Sequence, residues 1–217
     1  RPDRLSLFSF AYLPEQLPLQ RKIAAADLPS PRDRLVMLEE ANQQLTANGY
    51  EAIGMDHYAL VGDRLAEAAR RGALHRNFQG YTTGGELELL GVGPTAISQF
   101  PHLLAQNQRD LKAYYRALAM GQLPTERGVV VDQKEVLERR ELIRAVMCRF
   151  EVELEVARFA QEWADLQALA ADGLLTLQQH GSIGVARVTP QGRWLLRTIA
   201  AVFDPQQRHR ASGSRLL

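Results

Sequence analysis

The sequence is poor in cysteine and has no long apolar run, and each shortage excludes a class of protein. Cys148 is the only cysteine among the 217 residues. It cannot form an internal disulfide bond, and by itself it cannot supply a multi-cysteine zinc or iron–sulfur site. No apolar stretch approaches the roughly 20 residues that a membrane-spanning helix needs. We therefore expect no metal site within this chain and no association with a membrane.

The chain also lacks an excess of either charge. Lysine and arginine number 26, and aspartate and glutamate number 25, which gives a net charge of +1. This balance does not produce the basic field with which proteins hold nucleic acid. Hydrophobic residues make up 46% of the chain, enough for one or two packed cores. The composition predicts a globular cytoplasmic protein that does not bind nucleic acid.

The first hundred residues alternate between strand and helix patterns. An apolar run at 5–13 indicates a strand, which ends before Pro14 because proline cannot donate to a sheet ladder. A helix should begin after Ser30 and end at Gly49, and residues 50–55 indicate a second strand. The expected apolar face of that helix comprises Leu35, Leu38, Ala41 and Leu45. The order is typical of a βα unit in a largely parallel sheet, and we expect further strands upstream of residue 1. A small, self-contained α+β domain is the alternative. A second, short helix is expected from Asp63 to Arg71, closed by Gly72.

Glycine is concentrated between residues 75 and 100, where five glycines occur among few helical signals. We expect loops there around one short strand at 88–92, with backbone that can approach a ligand closely. The turn formed by Gly91 and Gly93 would place Ala96 and Ile97 just beyond that strand, where their backbone groups could contact an adenine. A simple tight turn is the alternative, because the third glycine of a dinucleotide motif is absent.

The most distinctive segment is 75–83, with the sequence HRNFQGYTT. It is either a polar surface loop or a binding loop, and composition does not decide between them. As a binding loop, Gln79 would supply an amide contact, Phe78 and Tyr81 flat apolar surfaces, and Arg76 a partner for a carboxylate.

From residue 107 onward the pattern is mostly helical. Helices are expected at 107–120, 132–150 and 153–171, strands at 174–177 and 185–188, and a last helix after Pro190. This order resembles a winged helix. The expected wing turn contains Gln178, Gln179 and His180 instead of clustered lysine and arginine, so a structural or docking domain is favoured over a DNA-binding one.

Two single residues deserve a specific prediction. Cys148 lies in an apolar helical stretch with Val136, Ile143, Val146, Met147 and Phe150, and we expect it to be an inert core residue. His57 follows Asp56 just past a predicted strand, where α/β sheets place their chemistry, and it is the strongest functional candidate among five histidines.

Several motifs together resemble oxygen-independent coproporphyrinogen III oxidases, which are radical S-adenosylmethionine enzymes. The matching segments are residues 2–6, 20–23, 26–31, 54–57, 75–83, 105–108, 172–174 and 188–193. The resemblance covers almost the whole chain and fades over the last dozen residues. It implies a mixed fold: the last strands of a partial (β/α) barrel in residues 1–104, a helical, winged-helix-like domain in 105–203, and a loose tail in 204–217.

The resemblance also implies an activity. The family converts coproporphyrinogen III to protoporphyrinogen IX in heme biosynthesis by anaerobic oxidative decarboxylation. It uses S-adenosylmethionine and a [4Fe–4S] cluster held by a CxxxCxxC motif. That motif is absent here. The chain would therefore be the C-terminal part of a monomeric enzyme, inactive alone, with the cluster ligands outside it and a flavodoxin-type protein as a possible electron donor.

Specific residues carry over from the family match. Ala11 and Ile97 would line the S-adenosylmethionine pocket, with Phe78 and Gln79 as further contacts. Arg76, Arg21 and Lys22 are candidates for binding the substrate propionates, although an ordinary surface charge is the commoner role for lysine and arginine. No catalytic residue can be assigned. The alternatives are a noncatalytic porphyrin- or heme-binding protein and a winged-helix interaction module derived from the same family.

Overall fold

The computed structural model describes residues 1–85, 87–130 and 134–205. The helices are α1 Pro31–Ala47, α2 Arg64–Arg70, α3 Leu111–Ala119, α4 Lys134–Arg149, α5 Ala160–Ala171 and α6 Leu196–Ala201. The strands are β1 Arg4–Ser6, β2 Tyr50–Gly54, β3 His57–Leu60, β4 His75–Asn77, β5 Gly80–Thr82, β6 Ile97–Phe100, β7 Leu103–Asn107, β8 Thr125–Val130, β9 Glu151–Glu155, β10 Leu175–His180 and β11 Ile183–Val188. The expected mixture of sheets and helices is confirmed.

Neighbouring strands of the first sheet are antiparallel, so the prediction of a largely parallel sheet is wrong here. Its order is β1-β3-β2, and β3 lies between the two strands that the sequence predicted. The chain reverses directly after β2 at Met55, whose φ of 50° is unusual for a residue with a side chain. Because of this tight turn, residues 57–60 run antiparallel to β2 and form the strand β3.

The strand expected at 5–13 is much shorter than the apolar run. β1 ends at Ser6, and after one more hydrogen bond, from Leu7 N–H to the Asp56 carbonyl at 2.7 Å, the chain leaves the sheet. Phe8 and Phe10 are 72% and 56% exposed. The apolar sequence here forms uncovered surface instead of a sheet interior.

Helix α1 begins where the sequence predicted. Ser30 and Asp33 form a complete capping box, with the Asp33 N–H donating to Ser30 Oγ at 3.2 Å. The helix buries no residue, however. Leu38, Ala41 and Leu45 are half-buried, and Leu35, expected on the apolar face, is exposed. The predicted second helix is α2, whose Asp63 side chain caps the Leu65 N–H.

The glycine-rich segment contains more strands than expected. β4 and β5 form a hairpin, and β6, β7 and β8 form a three-stranded antiparallel sheet. The strand predicted at 88–92 is wrong: Leu89 forms only an isolated bridge with Gln99. The boundary expected between residues 104 and 105 falls within β7.

The last third of the described chain packs two helices against a three-stranded sheet of order β10-β11-β9. The hairpin of β10 and β11 confirms the predicted one, with longer strands. The helix expected from residue 153 is wrong at its start, because Glu151–Glu155 is a strand with Val152 and Leu154 buried and the three glutamates outward. Alternating burial of this kind stabilises a strand and not a helix.

The main hydrophobic core lies between α4, α5 and this sheet, with α6 packed on α4, and it extends to β2, β3 and α2. Cys148 belongs to it, as predicted, and burial raises the pKa of its thiol to about 11. Val136 was expected in the core but is 38% exposed.

The end of the predicted tail lies outside the described residues, as does Asp132, which was expected to open α4. In the part of the chain that the structure describes, no helix is both long and apolar enough to cross a membrane.

Candidate binding site at the β4–β5 hairpin

The segment predicted as a binding loop is a tight hairpin. Arg76 pairs with Tyr81 and Asn77 with Gly80. At the tip, the Asn77 side-chain oxygen accepts hydrogen bonds from the N–H groups of Gln79, at 2.9 Å, and Gly80, at 3.2 Å. This local bonding is typical of an Asx turn and orders the tip. Phe78 and Gln79 therefore project from an ordered turn, both exposed.

The base of the hairpin is anchored on helix α4. Tyr81 is buried, and its hydroxyl donates to the Met147 carbonyl at 2.8 Å. Burial raises the pKa of Tyr81 far above its ordinary range, so the hydroxyl remains a donor at physiological pH. The hairpin is thus connected to the main core and is not a free surface loop.

His57 packs against the hairpin from β3. Its ring lies edge-on to that of Tyr81, with centroids 5.3 Å apart and planes at 82°. A Cβ on Gly80 would lie 2.5 Å from His57 Nε2, so residue 80 must be glycine for the ring to sit there. The φ of Gly80, +138°, also excludes other residues.

Asp56 holds His57 from the other side. Asp56 Oδ1 lies 3.2 Å from His57 Nδ1. Burial by itself would raise the pKa of Asp56, but the hydrogen bond with His57, a backbone N–H and the electrostatic influence of His57 and Arg197 together lower it. Asp56 is therefore ionised at neutral pH and accepts a hydrogen bond from the Nδ1–H group of His57.

Arg76 is partly engaged within the protein. Its guanidinium lies over the Tyr81 ring, 4.9 Å from the centroid, and its buried Nη1 has no hydrogen-bond partner among the described residues. The side chain borders a cavity of about 410 Å³. The cavity is also lined by His75 and by the charged residues Glu88, Arg140, Glu141 and Arg144. An anion could be bound there by paired hydrogen bonds.

The turn before β6 is built differently from the expectation. Ile97 is the first residue of β6, instead of lying beyond a strand, and it is half-buried. Gly91 approaches the Ile97 backbone so closely that a Cβ would lie 2.7 Å from its carbonyl oxygen. The close approach of this glycine is therefore to the chain itself and not to a ligand.

Asn107 and Tyr114 hold this turn, and sequence reasoning missed both roles. Asn107 Nδ2 donates to the carbonyls of Gly91, at 3.2 Å, and Gly93, at 3.0 Å. The Gly93 N–H donates to the Tyr114 hydroxyl at 3.2 Å. Asn107 and Asp110 were both predicted to cap a helix: Asn107 ends β7 instead, whereas Asp110 caps α3 as predicted. Its burial, unusual for asparagine, cannot be inferred from a single sequence.

The remaining site candidates lie on the segment between β1 and α1. Ala11 is exposed, and its carbonyl accepts from Gln20 Nε2 at 3.0 Å. Arg21 and Lys22 are exposed on the 3-10 turn Pro18–Lys22, where Arg21 Nε donates to the Pro14 carbonyl at 3.1 Å. The structure therefore joins Arg76, Phe78 and Gln79 on one hairpin, and places Ala11 and Ile97 on two other elements.

Comparisons with known proteins give consistent results. The chain is 44% identical to an oxygen-independent coproporphyrinogen III oxidase of Pseudomonas aeruginosa over 94% of its own length and 45% of the relative's. It is 42% identical to the protein of that name from Escherichia coli, over 97% of this chain and 47% of the relative. No protein-family model matches the chain.

A solved structure is also similar. It is described as coproporphyrinogen III oxidase (HemN) from Escherichia coli, a radical SAM enzyme. The TM-score is 0.85 at 42% sequence identity, over 95% of this chain and 49% of that one. The chain thus spans about half the length of these relatives.

Proposed function

The chain is homologous to part of the oxygen-independent coproporphyrinogen III oxidases, as its motifs predicted, and from this premise we propose that it serves the same reaction. That reaction is the anaerobic oxidative decarboxylation of coproporphyrinogen III to protoporphyrinogen IX in heme biosynthesis. The observation that carries the proposal is the joint agreement of sequence and fold, 42% identity with a TM-score of 0.85 over 95% of the chain.

The iron–sulfur cluster of such an enzyme does not fit the residues of this chain. Cys148 is the one cysteine of the sequence, and it is buried with a raised pKa. Among the described residues, no three His, Cys, Asp or Glu side chains are grouped as metal ligands. We therefore assign the cluster ligands to another part of the enzyme, and this chain to S-adenosylmethionine and substrate.

S-adenosylmethionine fits the hairpin tip. When bound and given one electron by the iron–sulfur cluster, it would release methionine and supply a 5′-deoxyadenosyl radical for hydrogen abstraction from a propionate. Phe78 offers an exposed flat ring for stacking and Gln79 an exposed amide for hydrogen bonding, on a turn that Asn77 orders. In this proposal Ala11 and Ile97 contribute apolar surface to the same pocket.

Arginine and lysine side chains would bind the substrate. The four propionates of coproporphyrinogen III require several cations. Arg76 borders the 410 Å³ cavity, and Arg21 and Lys22 are exposed on their turn. The finer architecture belongs to the same proposal: a partial radical-SAM barrel in residues 1–104, a winged-helix-like domain in 105–203, a flavodoxin-type electron donor, and a monomeric enzyme in the cytoplasm.

Replacement of Gln79 tests this proposal. In a chimera in which this chain replaces the matching segment of the Escherichia coli relative, Gln79→Ala should weaken S-adenosylmethionine binding about tenfold, because one or two hydrogen bonds are lost. Calorimetric titration measures the affinity, and product formation from coproporphyrinogen III measures turnover. The thermal midpoint should not change, because Gln79 is exposed.

The matched control is Gln122→Ala, in the exposed turn after α3. It should leave both measurements unchanged. If Gln79→Ala behaves like this control, Gln79 is not part of the site. If the chimera binds porphyrin but never turns it over, the noncatalytic binding protein is the better interpretation. A salt-sensitive mobility shift of DNA would instead support the interaction module.

A further inference from the structure

A chain of side-chain contacts lies beneath the hairpin tip. None of its residues is among the proposed ligand contacts. Asp56 bonds His57, the His57 ring lies against Gly80 and Tyr81, and Tyr81 bonds the Met147 carbonyl. Phe78 and Gln79 lie between Asn77 and Gly80, the two residues that close the hairpin. Any movement of the His57 ring therefore changes the space that the tip occupies.

Two close contacts between a glycine and an aromatic ring fix how the hairpin packs on the first sheet. The ring of His57 occupies the position that a Cβ on residue 80 would need, and the Tyr81 ring does the same beside Gly54. Two strands of the first sheet and the hairpin thus interlock through two glycine–ring contacts. Close packing of this type transmits small displacements because the interior has no free volume to absorb them.

The orientation of the ring depends on the charge beside it. The Asp56 and His57 side chains are only 14% and 16% exposed, so their hydrogen bond is largely shielded from water. An ionised carboxylate accepts from Nδ1 and so selects one face and one tautomer of the imidazole. Asp56 Oδ2 is buried and has no hydrogen-bond partner among the described residues, so Nδ1 is the main side-chain partner of this carboxylate.

We propose that Asp56 and His57 act as a positioning pair that fixes the β4–β5 hairpin so that Phe78 and Gln79 face S-adenosylmethionine. The pair touches no ligand itself. Its effect on the ligand rests on the proposed function, whereas its effect on the hairpin does not.

The first test measures the hairpin directly. In the chimera described above, His57→Phe keeps a ring over Gly80 but cannot bond Asp56, and Asp56→Ala removes the other partner. Each variant should increase amide hydrogen exchange at residues 76–82 by about tenfold, because local opening becomes easier. The double variant should add little to either single one, since both remove the same interaction. The control is His180→Ala, at the exposed end of β10.

The second test measures the ligand, in the chimera described above. His57→Phe should weaken S-adenosylmethionine binding by as much as Gln79→Ala, while the thermal midpoint remains close to that of the unchanged protein. His57→Ala, which also removes the ring, should have a larger effect on both measurements.

The outcomes separate the two proposals. If hydrogen exchange at 76–82 is unchanged in His57→Phe and Asp56→Ala, or if their effects simply add, the positioning pair is wrong whatever the ligand affinity. If His57→Phe fully restores wild-type exchange where His57→Ala does not, the ring is only a space-filler and the pair is again wrong. In a third outcome, exchange at 76–82 rises in both single variants and their effects do not add, but neither Gln79→Ala nor His57→Phe changes ligand binding. The positioning pair is then supported and the S-adenosylmethionine assignment is wrong.

Discussion

The two ends of the described chain differ sharply in how they are stabilised. Residues 1–49, all of which are described, contain no buried residue. Residues 134–203 supply most of the main core, including Leu166 and Ile199, both fully buried. The first region nevertheless has ample apolar sequence, with Phe8 and Leu19 more than 70% exposed. Apolar content alone therefore does not make a core.

The difference shows what holds each region in place. In the C-terminal region, burial of apolar surface dominates, at roughly 25 cal/mol per Å². In the N-terminal region, β1 pairs with β3, and the other stabilising interactions are mostly local: the capping box of α1, the 3-10 turns and single hydrogen bonds such as that from Tyr12 Oη to the Ile23 carbonyl at 3.0 Å. Uncovered apolar surface of this extent is typical of a segment that packs against another protein surface.

Truncation of a core leucine should give the largest effect. Leu166→Ala in α5 should lower the free energy of unfolding by about 3 kcal/mol, because it removes a fully buried side chain and leaves a cavity. Leu35→Ala in α1, an equal truncation of an exposed leucine, should cost less than about 0.5 kcal/mol. Urea denaturation followed by circular dichroism measures both. Equal losses would mean that the two regions are stabilised alike, contrary to the burial pattern.

Loss of the helix cap should have a smaller and local effect. Ser30→Ala removes the Oγ that accepts the Asp33 N–H and should destabilise α1 by about 1 kcal/mol. Because α1 buries no residue, we expect faster hydrogen exchange in its first turns and little change in the core. Gln43→Ala, at an exposed position of the same helix, is the control. Faster exchange throughout the chain after Ser30→Ala, and not only in the first turns of α1, would contradict a local role.

Local signals explain which elements could be predicted. The capping residues Ser30 and Asp63 indicated α1 and α2, because each bonds within its own helix. β3 was missed, since its formation depends on a turn at Met55 with positive φ and on pairing with β1, more than 50 residues earlier. β9 was missed although Val152 and Leu154 alternate with glutamates, because the segment was interpreted as the start of the next helix.

The candidate site also combines local signals, which the sequence shows, with contacts between distant elements, which it does not show. The composition of 75–83 left a surface loop and a binding loop open, and only the family resemblance favoured the binding loop. The turn chemistry of this segment is local to Asn77. The contribution of His57 was only suspected, since its contact with Gly80 joins two elements that no sequence pattern connects. Asn107 and Tyr114 were not recognised for the same reason: their bonds to the Gly91–Gly93 turn span 14 to 21 residues.

The exposed apolar segment after β1 offers the test with the smallest effect on folding stability. The isolated chain should be poorly soluble and self-associate, because Phe8 and Phe10 present apolar surface beside an unpaired strand edge. The double substitution Phe8→Ser and Phe10→Ser should lower this association, while changing the free energy of unfolding by less than about 0.5 kcal/mol. Sedimentation velocity measures the first effect and urea denaturation the second.

The control is the double substitution Val129→Ser and Val130→Ser on the exposed strand β8. It would reduce association equally if exposed apolar area anywhere on the chain were the cause. If the wild-type chain is instead monodisperse and unfolds in one sharp, reversible transition, its N-terminal region needs no other surface to cover it. The two regions would then differ in how they are packed, but neither would depend on a partner.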